Sequence, residues 1–210
     1  ETFTPGILGG PFPRGWTATG GTTVPRWESE DANNGLNENS SNTGPLWDHT
    51  FFGGPTNGMY MYMETSGGTT GDSVDLISPP IFVGNNNSFE LKYHYFMFGA
   101  TMNQLKVLVD TNGVENLITT ISGQQQTVQT APWDTAVHVL SGYAGKSVSI
   151  IFRGFNGSSF TADIAIDDVE LSVPTPIDGG VTSFRGLASD CGLGNDTVEV
   201  VIQNFGSQSI

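Results

Sequence analysis

The segment 160–171 constrains the fold of this chain more than any other stretch, because it combines a β-strand pattern with two adjacent aspartates. Its large aliphatic residues alternate with other residues up to Ile166, as expected for a half-buried strand. The next one, Val169, follows three positions later and not two. Either Asp167 or Asp168 must therefore lie on the wrong face of the strand, most simply through a β-bulge that turns one carboxylate inward.

An inward carboxylate needs a compensating charge. No Lys or Arg occurs within ten residues on its C-terminal side, and burying a carboxylate without a partner is costly. A hard cation that takes oxygen ligands, such as Ca²⁺, would supply that charge. The alternative is that both aspartates lie at the strand end in solvent, and the spacing alone leaves these two interpretations open.

The charge balance argues against two classes of partner. The 210 residues include 7 Lys or Arg and 21 Asp or Glu, which gives a formal net charge of -14. A chain this acidic is repelled by nucleic acid and by anionic membrane surfaces, and no run approaches the ~20 apolar residues of a membrane span. The single cysteine, Cys191, excludes an internal disulfide. We expect a secreted or cell-surface protein whose chain begins at Glu1 as though cut from a longer one.

Turn-forming residues and short apolar runs predict an all-β fold. The sequence has 28 glycines, and Gly, Asn and Ser favour turns between short strands over helices. About eight to ten strands at a spacing of about 8 to 12 residues are typical of an antiparallel two-sheet sandwich. Strands are predicted at residues 59–64, 73–77, 89–98, 104–110, 114–121, 133–140, 146–153 and 160–171.

A change in composition divides the chain. Residues 174–180 contain the Pro and Gly typical of a linker, and they follow a predicted sandwich domain at residues 1–173. The remainder, residues 181–210, contains two predicted strands, at 181–187 and 197–204. Because two strands cannot bury a core of their own, we expect this tail to be the N-terminal fragment of a second β domain, so that the chain is part of a larger protein.

Several motifs along the chain are each weak alone but informative together. They are Gly44-Pro45, Asp48-His49-Thr50, Ile77-Ser78-Pro79 and the residues 60–64, 91–99, 105–109 and 163–168. In their order and spacing over roughly residues 1–173, these motifs resemble those of the MAM domain family. The chain is also similar to the jelly-roll modules of secreted bacterial multidomain proteins of the cleaved-adhesin type.

The resemblance implies a jelly roll with an adhesive or recognition role, without catalysis, and a structural Ca²⁺ near the strand ends. At the matching positions of this sequence it implies the metal ligands Glu1, Asp48, Asp167 and Asp168. The chain lacks the cysteines of the animal MAM pattern, so bridge-dependent geometry does not carry over. The tail is similar to the first strands of the immunoglobulin-like repeats that follow such modules in surface proteins.

Histidines and serines give weak catalytic signals. His49 beside Asp48 could belong to a catalytic pair or a zinc site, but His94 and His138 lie in predicted strands and nothing in the sequence places the three together. Without a cysteine partner or a His-x-Glu spacing, we interpret His49 as a hydrogen-bonding residue that fixes a loop. No Gly-x-Ser-x-Gly motif occurs. We therefore predict that the chain is not an enzyme.

Tryptophans next to a polar segment suggest a carbohydrate site. Aromatic faces can stack on sugar rings while neighbouring amides bind the hydroxyl groups. Trp27 and Trp47 flank an asparagine-rich segment that includes Asn39, so these three are candidate ligand-binding residues. The alternative is that tryptophans cover the core, which is our interpretation for Trp16 and Trp133.

Together, these features predict a non-catalytic extracellular adhesion module, stabilised by Ca²⁺, that binds a protein or polysaccharide partner through its loops. The alternative is an accessory domain that directs a secreted hydrolase, either a protease or a glycosidase, to its substrate. The two hypotheses differ in what the rest of the protein contains: further β repeats in the first case and a catalytic domain in the second.

Overall fold

A computed structural model of the chain describes residues 15–20, 23–31, 41–50, 58–85, 88–172, 179–185 and 199–204. Within these ranges, the regular elements are all β-strands. The chain divides into two compact units, Glu1–Ser172 and Val173–Ile210. None of the described residues belongs to a helix that is long and apolar enough to cross a membrane.

The strands of the described residues are numbered in chain order. They are β1 (Thr17–Ala18), β2 (Arg26–Asp31), β3 (Met59–Glu64), β4 (Ser73–Ile77), β5 (Ile81–Phe82), β6 (Ser88–Met97), β7 (Gln104–Thr111), β8 (Val114–Ser122), β9 (Asp134–Ser141), β10 (Ser147–Phe155), β11 (Ile164–Ser172), β12 (Gly179–Arg185) and β13 (Glu199–Asn204).

Strands β1 to β11 form two antiparallel sheets. The first has the order β1-β4-β10-β7-β8, with β5 also paired to β10, and the second has the order β2-β3-β11-β6-β9. Neighbours in each sheet are mostly distant in sequence, as the jelly-roll topology requires. The predicted all-β, two-sheet jelly-roll architecture is confirmed.

The core lies between the two sheets and follows the alternation of the sequence. On β7, Leu105, Val107 and Val109 are fully buried, and on β11 the same holds for Ile164 and Ile166. Burying a side chain of this size stabilises a fold by roughly 1.5–3 kcal/mol. The period-two pattern that predicted strands therefore also supplies the apolar face on which the sheets pack.

Strand β3 is buried on both of its faces. Met61 and Met63 pack in the core between the sheets, whereas Tyr60 and Tyr62 pack on the opposite, outer face of the second sheet. The tyrosines belong to a second apolar cluster. Its other buried members are Phe96, Trp133 and Ala165.

Residues 41–50, which we call the covering segment, lie over this second cluster. The Leu46 N–H donates to the Gln129 carbonyl at 3.0 Å, and the Trp133 indole N–H donates to the Trp47 carbonyl, also at 3.0 Å. The covering segment therefore adds a partial third layer over the outer face of the second sheet.

The second unit contains a two-stranded antiparallel ribbon. Strand β12 pairs with β13, with a register shift between Val181 and Ser183. β12 begins at Gly179, two residues before the predicted strand, so Gly179 and Gly180 belong to a strand and not to the expected linker. Residues 174–178 lie outside the described part of the chain. The assignment of this tail to an immunoglobulin-like domain stays a prediction.

Among the described glycines, an added Cβ would come closest to neighbouring backbone at Gly157. A methyl group there would overlap the Thr101 carbonyl oxygen and the Ala162 side chain. We predict that Gly157→Ala destabilises the fold by about 1–3 kcal/mol, because a backbone carbonyl cannot move aside easily. Urea unfolding measures this change.

Gly154→Ala provides the matched control for this prediction. Its methyl group would meet the Met63 sulfur, which lies on a side chain that can change rotamer. We expect a smaller loss of stability than for Gly157→Ala. Equal losses in the two variants would contradict the proposed difference between the sites.

Candidate metal centre

Strand β11 carries the predicted bulge. It pairs with β6 as far as Asp167, opposite His94, and pairing resumes at Glu170, opposite Lys92, after a register shift. Asp168 has a φ of 45°, in the left-handed region that Asp visits more readily than most residues. The bulge and the buried carboxylate are confirmed, since Asp167 is only 1% exposed.

The direction in which the buried carboxylate points differs from the prediction. Ile166 belongs to the core between the sheets, whereas Ala165 belongs to the cluster on the outer face. Asp167 follows the same alternation and is on the outer side, where the His49 N–H donates to its Oδ2 at 3.1 Å. Asp167 is thus buried because the covering segment lies over it, and not because it enters the core.

The covering segment brings a second carboxylate to the bulge. Asp48 is 3% exposed and hydrogen-bonds to Asp167. Its carboxyl group lies against Gly58, where any side chain would collide with it. The Asp168 N–H donates to Asp167 Oδ1 at 2.7 Å. Three of the four predicted metal ligands therefore lie together, and Glu1 lies outside the described residues.

Only one of the two carboxylate oxygens of Asp168 has hydrogen-bond partners among the described residues. Its Oδ2 contacts His49 Nδ1 at 2.7 Å and accepts the Thr50 hydroxyl at 2.6 Å. Its Oδ1 is buried and accepts no hydrogen bond from the described part of the chain. Buried carboxylate oxygens are seldom left without a partner, and a bound cation would provide one.

The electrostatics of the cluster also favour a cation. Burial, reinforced by the charges of Asp48 and Asp168, raises the pKa of the Asp167 carboxyl well above its usual range. A hydrogen bond between two carboxyl groups needs a proton on one of them. A divalent cation could replace that proton and offset the remaining negative charge. The donor set, which consists of oxygen atoms, fits Ca²⁺. Asp48, Asp167 and Asp168 would hold the ion.

The same side chains do not form a catalytic triad. A triad requires a hydroxyl that hydrogen-bonds to a histidine, which an acid then orients. Here the Thr50 hydroxyl and the His49 ring both bind the same oxygen of Asp168. The hydroxyl is therefore bound to the acid and not to the base, which does not activate it as a nucleophile.

His49 and His94 lie together, although nothing in the sequence placed them near each other. Their rings stack with centroids 3.4 Å apart and planes inclined by 18°. Burial, and to a lesser extent His49, lowers the pKa of His94, whose Nδ1 lies 3.0 Å from Thr135 Oγ1. His138 is elsewhere, with its Nε2 3.3 Å from the Tyr93 hydroxyl.

These two histidines and Asp168 offer donor atoms that all lie within 4.8 Å of one another. However, imidazole binds metals through a lone pair in the plane of the ring, and the planes of stacked rings do not converge on one point. The stacked geometry therefore suits a structural contact better than a zinc site. His49 also fixes the covering segment through Asp167 and Asp168, as the sequence suggested.

The candidate sugar-binding residues that the structure describes differ in their burial. Trp27 is 3% exposed in the core, and its indole N–H donates to the Val74 carbonyl at 3.1 Å. The prediction of a ligand role for Trp27 is therefore wrong, because neither ring face is open to a sugar. Trp47 is half-buried on the covering segment, and Asn39 lies outside the described residues. Trp16 is buried in the core, as predicted.

A third buried carboxylate, Asp163, was missed as a structural residue. It is fully buried and accepts hydrogen bonds from the Tyr62 hydroxyl, from the Thr65 N–H at 3.0 Å and from the Thr65 hydroxyl at 2.7 Å. Burial raises its pKa to about 6 even though these donors lower it. The only signal in the sequence was its position four residues before Asp167.

Comparison with known proteins identifies related domains. The family model "MAM domain, meprin/A5/mu" matches residues 12–175. The chain is 34% identical over 149 residues to MAM domain-containing glycosylphosphatidylinositol anchor protein 1 of Rattus norvegicus, which covers 69% of this chain and 14% of that protein. It is also 34% identical over 134 residues to MAM domain-containing protein 2 of Mus musculus, which covers 63% of this chain and 18% of that protein.

The comparison also bears on the expected bacterial context. The K1 cleaved adhesin domain of Lys-gingipain from Porphyromonas gingivalis W83 aligns with 77% of this chain and 92% of its own, at 17% identity and a TM-score of 0.46. A likeness of this degree carries no functional argument. The two relatives named above are animal proteins, so the secreted bacterial context that the sequence suggested is not supported.

The raised pKa of Asp163 makes stability depend on pH. Its folded pKa of about 6 lies above its usual value of 3.8, so the folded state holds this proton more tightly than the unfolded state. The stabilisation is complete below pH ~4 and is lost as the pH rises through ~6, an effect of about 3 kcal/mol. We predict that Asp163→Asn removes this part of the pH dependence in urea unfolding.

Asp110→Asn is the matched control, because it removes a carboxylate group from a turn and leaves Asp163 in place. Asp110 accepts a hydrogen bond from Gly113 at an exposed turn, far in sequence from Asp163. The pH dependence of this variant should match that of the unmodified chain. An equal slope between pH ~4 and ~6 in Asp163→Asn and in the unmodified chain would refute the assignment.

Proposed function

The chain belongs to the MAM domain family, and from that premise we propose that it is a non-catalytic extracellular adhesion and recognition module whose covering segment is held by Ca²⁺. The observation that carries the proposal is the cluster of Asp48, Asp167 and Asp168. It joins the covering segment to the bulge of β11, and it contains a buried carboxylate oxygen that receives no hydrogen bond from the described residues.

A cation at this cluster would order a surface that can bind a partner. Ca²⁺ would supply a fixed positive charge between side chains that otherwise repel one another. The covering segment then presents exposed polar residues at both ends, namely Ser41 and Asn42 at one end and Thr50 at the other. Ordering these residues before binding reduces the entropy lost on association.

The partner is an extracellular protein or a polysaccharide. A net charge of -14 disfavours polyanions, so the polysaccharide in question would be neutral. A protein partner would bring basic or neutral groups to the exposed hydroxyls and amides of the covering segment. Trp47, half-buried on the same segment, remains the aromatic candidate for a contact with either partner.

The proposed cellular location and the proposed larger protein are both inferred from the relatives. The name of the rat relative includes a glycosylphosphatidylinositol anchor, and this chain spans only 14% of its length. We therefore propose a place at the cell surface or in the secreted fraction, as one module of a larger protein. The accessory role in a secreted hydrolase stays an alternative prediction that no contact of the described residues favours.

Calcium should stabilise the fold through the aspartate cluster. A ligand that binds only the folded state adds about 2.7 kcal/mol at a hundredfold excess over its dissociation constant. We predict a higher Tm in Ca²⁺ than in chelator for the unmodified chain, and a much smaller rise for Asp167→Asn or Asp48→Asn. Differential scanning calorimetry measures both.

Glu170→Gln is the matched control, because Glu170 lies on the same strand and its carboxylate is 57% exposed. This variant should keep the full rise in Tm. If Asp167→Asn and Glu170→Gln respond to Ca²⁺ alike, the ion binds elsewhere and the proposed site is wrong.

Partner binding should depend on the same ion. We predict that the immobilised chain retains some members of a panel of neutral oligosaccharides and cell-surface ectodomains in Ca²⁺, and that chelator or Asp167→Asn weakens this retention at least roughly tenfold. Glu170→Gln should bind as the unmodified chain does. Binding that is unchanged by chelator would contradict the proposed role of the ion, and turnover of a bound panel member would contradict the non-catalytic role.

A further inference from the structure

The last strands of the two sheets lie beside each other at one side of the sandwich. β8 is the last strand of the first sheet and β9 is the last strand of the second, and a groove of about 450 Å³ separates them. We call it the edge groove. Leu117 and Ile118 of β8 form one wall, and residues 137–141 together with Tyr143 form the other. The volume falls within the roughly 300–1,000 Å³ of small-ligand sites.

The edge groove is uncharged, although the chain is strongly acidic. The sequence contains 21 Asp or Glu and 7 Lys or Arg, but none of these lines the groove. Burial lowers the pKa of His138, the one imidazole in the lining, so its ring is neutral near pH ~7. A neutral imidazole has one nitrogen that donates and one that accepts a hydrogen bond. The lining therefore suits a neutral ligand that forms hydrogen bonds.

Two side chains of the lining keep unused hydrogen-bonding atoms. Nε2 of His138 lies 3.3 Å from the Tyr93 hydroxyl, whereas its Nδ1 forms no hydrogen bond within the described ranges. The same is true of the Tyr143 hydroxyl. His138 stacks on the fully buried Tyr93 with ring centroids 5.8 Å apart, and Tyr143 packs edge-on against the buried Phe89. Both groups are thus held in place before a ligand binds, which reduces the entropy lost on binding.

Free backbone groups line both walls. Alternate residues of an outer strand direct their N–H and C=O groups away from the neighbouring strand. No strand in the described part of the chain pairs with the far edges of β8 and β9. These groups lie in the planes of two different sheets, which pack about 10 Å apart. A polypeptide strand could therefore continue only one of the sheets, whereas the hydroxyl groups around a sugar ring can reach both walls.

The β8 wall adds an apolar surface. Leu117 is 58% exposed, and Ile118 is half-buried against the core. A sugar ring carries hydroxyl groups at its rim and C–H groups on its faces, so its site needs hydrogen-bonding groups next to an apolar contact. The edge groove provides both.

We propose that the edge groove binds a neutral oligosaccharide. The hydroxyl groups of the sugar hydrogen-bond to Tyr143, to His138 and to the free backbone groups of β9, and its C–H faces pack on Leu117. The groove shares no residue with the covering segment or with the aspartate cluster. It therefore goes beyond the proposed Ca²⁺-dependent surface and adds a second contact with a polysaccharide.

Nuclear magnetic resonance titration of the whole chain in chelator tests this proposal, because chelator weakens the proposed Ca²⁺-dependent surface. The probes are neutral tetrasaccharides of glucose, galactose, mannose and xylose. At least one should shift the amides of Leu117, His138 and Ser141 saturably, with a dissociation constant of roughly 1 mM or below, and should leave the amides of the covering segment unshifted. Absence of such shifts with every probe would overturn the proposal, as would equally tight binding of tetragalacturonate, which is acidic.

Two variants with matched controls locate the site. Tyr143→Phe removes only a hydroxyl and should weaken binding about three- to tenfold, whereas Tyr95→Phe removes the same group outside the groove and should not. Leu117→Asp removes the apolar contact and should weaken binding at least roughly threefold. Val114→Asp is its control on the same strand, because Val114 is 61% exposed and does not line the groove. Equal affinities within either pair would refute the assignment.

Addition of Ca²⁺ separates this proposal from the proposed function. The affinity of the edge groove should be the same in Ca²⁺ and in chelator. The retention that the Ca²⁺-dependent surface provides should fall at least roughly tenfold in chelator, and the binding that remains should depend on Tyr143. If retention does not fall, the proposed function is wrong and the edge groove stands. If the remaining binding is unchanged in Tyr143→Phe, the edge groove is wrong and the proposed function stands.

Discussion

Three aspartate side chains lie together on the outer face of the second sheet. Asp48 and Asp167 are almost fully buried and hydrogen-bond to each other, and Asp168 turns back from the bulge to contact His49 and Thr50. Carboxylates do not gather in this way without a proton or a cation between them. This cluster joins the covering segment to the bulge of β11.

The covering segment also explains why the second sheet is apolar on both faces. Tyr60 and Tyr62 alternate with core methionines on β3, yet they are buried against Phe96 and Trp133. The hydrogen bond from the Trp133 indole to the Trp47 carbonyl holds the covering segment over these aromatic side chains. Loss of charge compensation at the aspartate cluster would therefore loosen more than a surface loop, because the apolar layer beneath would be exposed to water. Ion binding at the cluster would therefore be coupled to local folding through this layer.

The sequence predicted those features that local spacing controls. The three-residue step from Ile166 to Val169 was sufficient to place a bulge, and alternation placed the strands. The sequence could not show which face of β11 is covered, because that depends on a segment more than 100 residues away in sequence. The spacing left open which of Asp167 and Asp168 is turned, and its prediction that the buried carboxylate enters the core was wrong. Trp27 was misjudged because a core tryptophan beside a polar segment has the same pattern as an exposed one.

The histidines illustrate the same limit. His49 lies on the covering segment and His94 on β6, and their stacking follows from the sheet order, which brings β6 beside β11. Single-sequence patterns do not encode such pairings. By contrast, the contact of Asp48 with Asp167 agrees with what the family resemblance implied. The resemblance thus supplied long-range information that the periodicity of individual strands does not contain.

Hydrogen exchange of the covering segment tests most directly whether a cation holds the aspartate cluster together. The His49 amide donates to Asp167, so its exchange reports on the junction between the covering segment and β11. If Ca²⁺ occupies the cluster, this amide and its neighbours should exchange at least roughly tenfold more slowly in Ca²⁺ than in chelator. Equal exchange of the His49 amide in Ca²⁺ and in chelator would contradict the account.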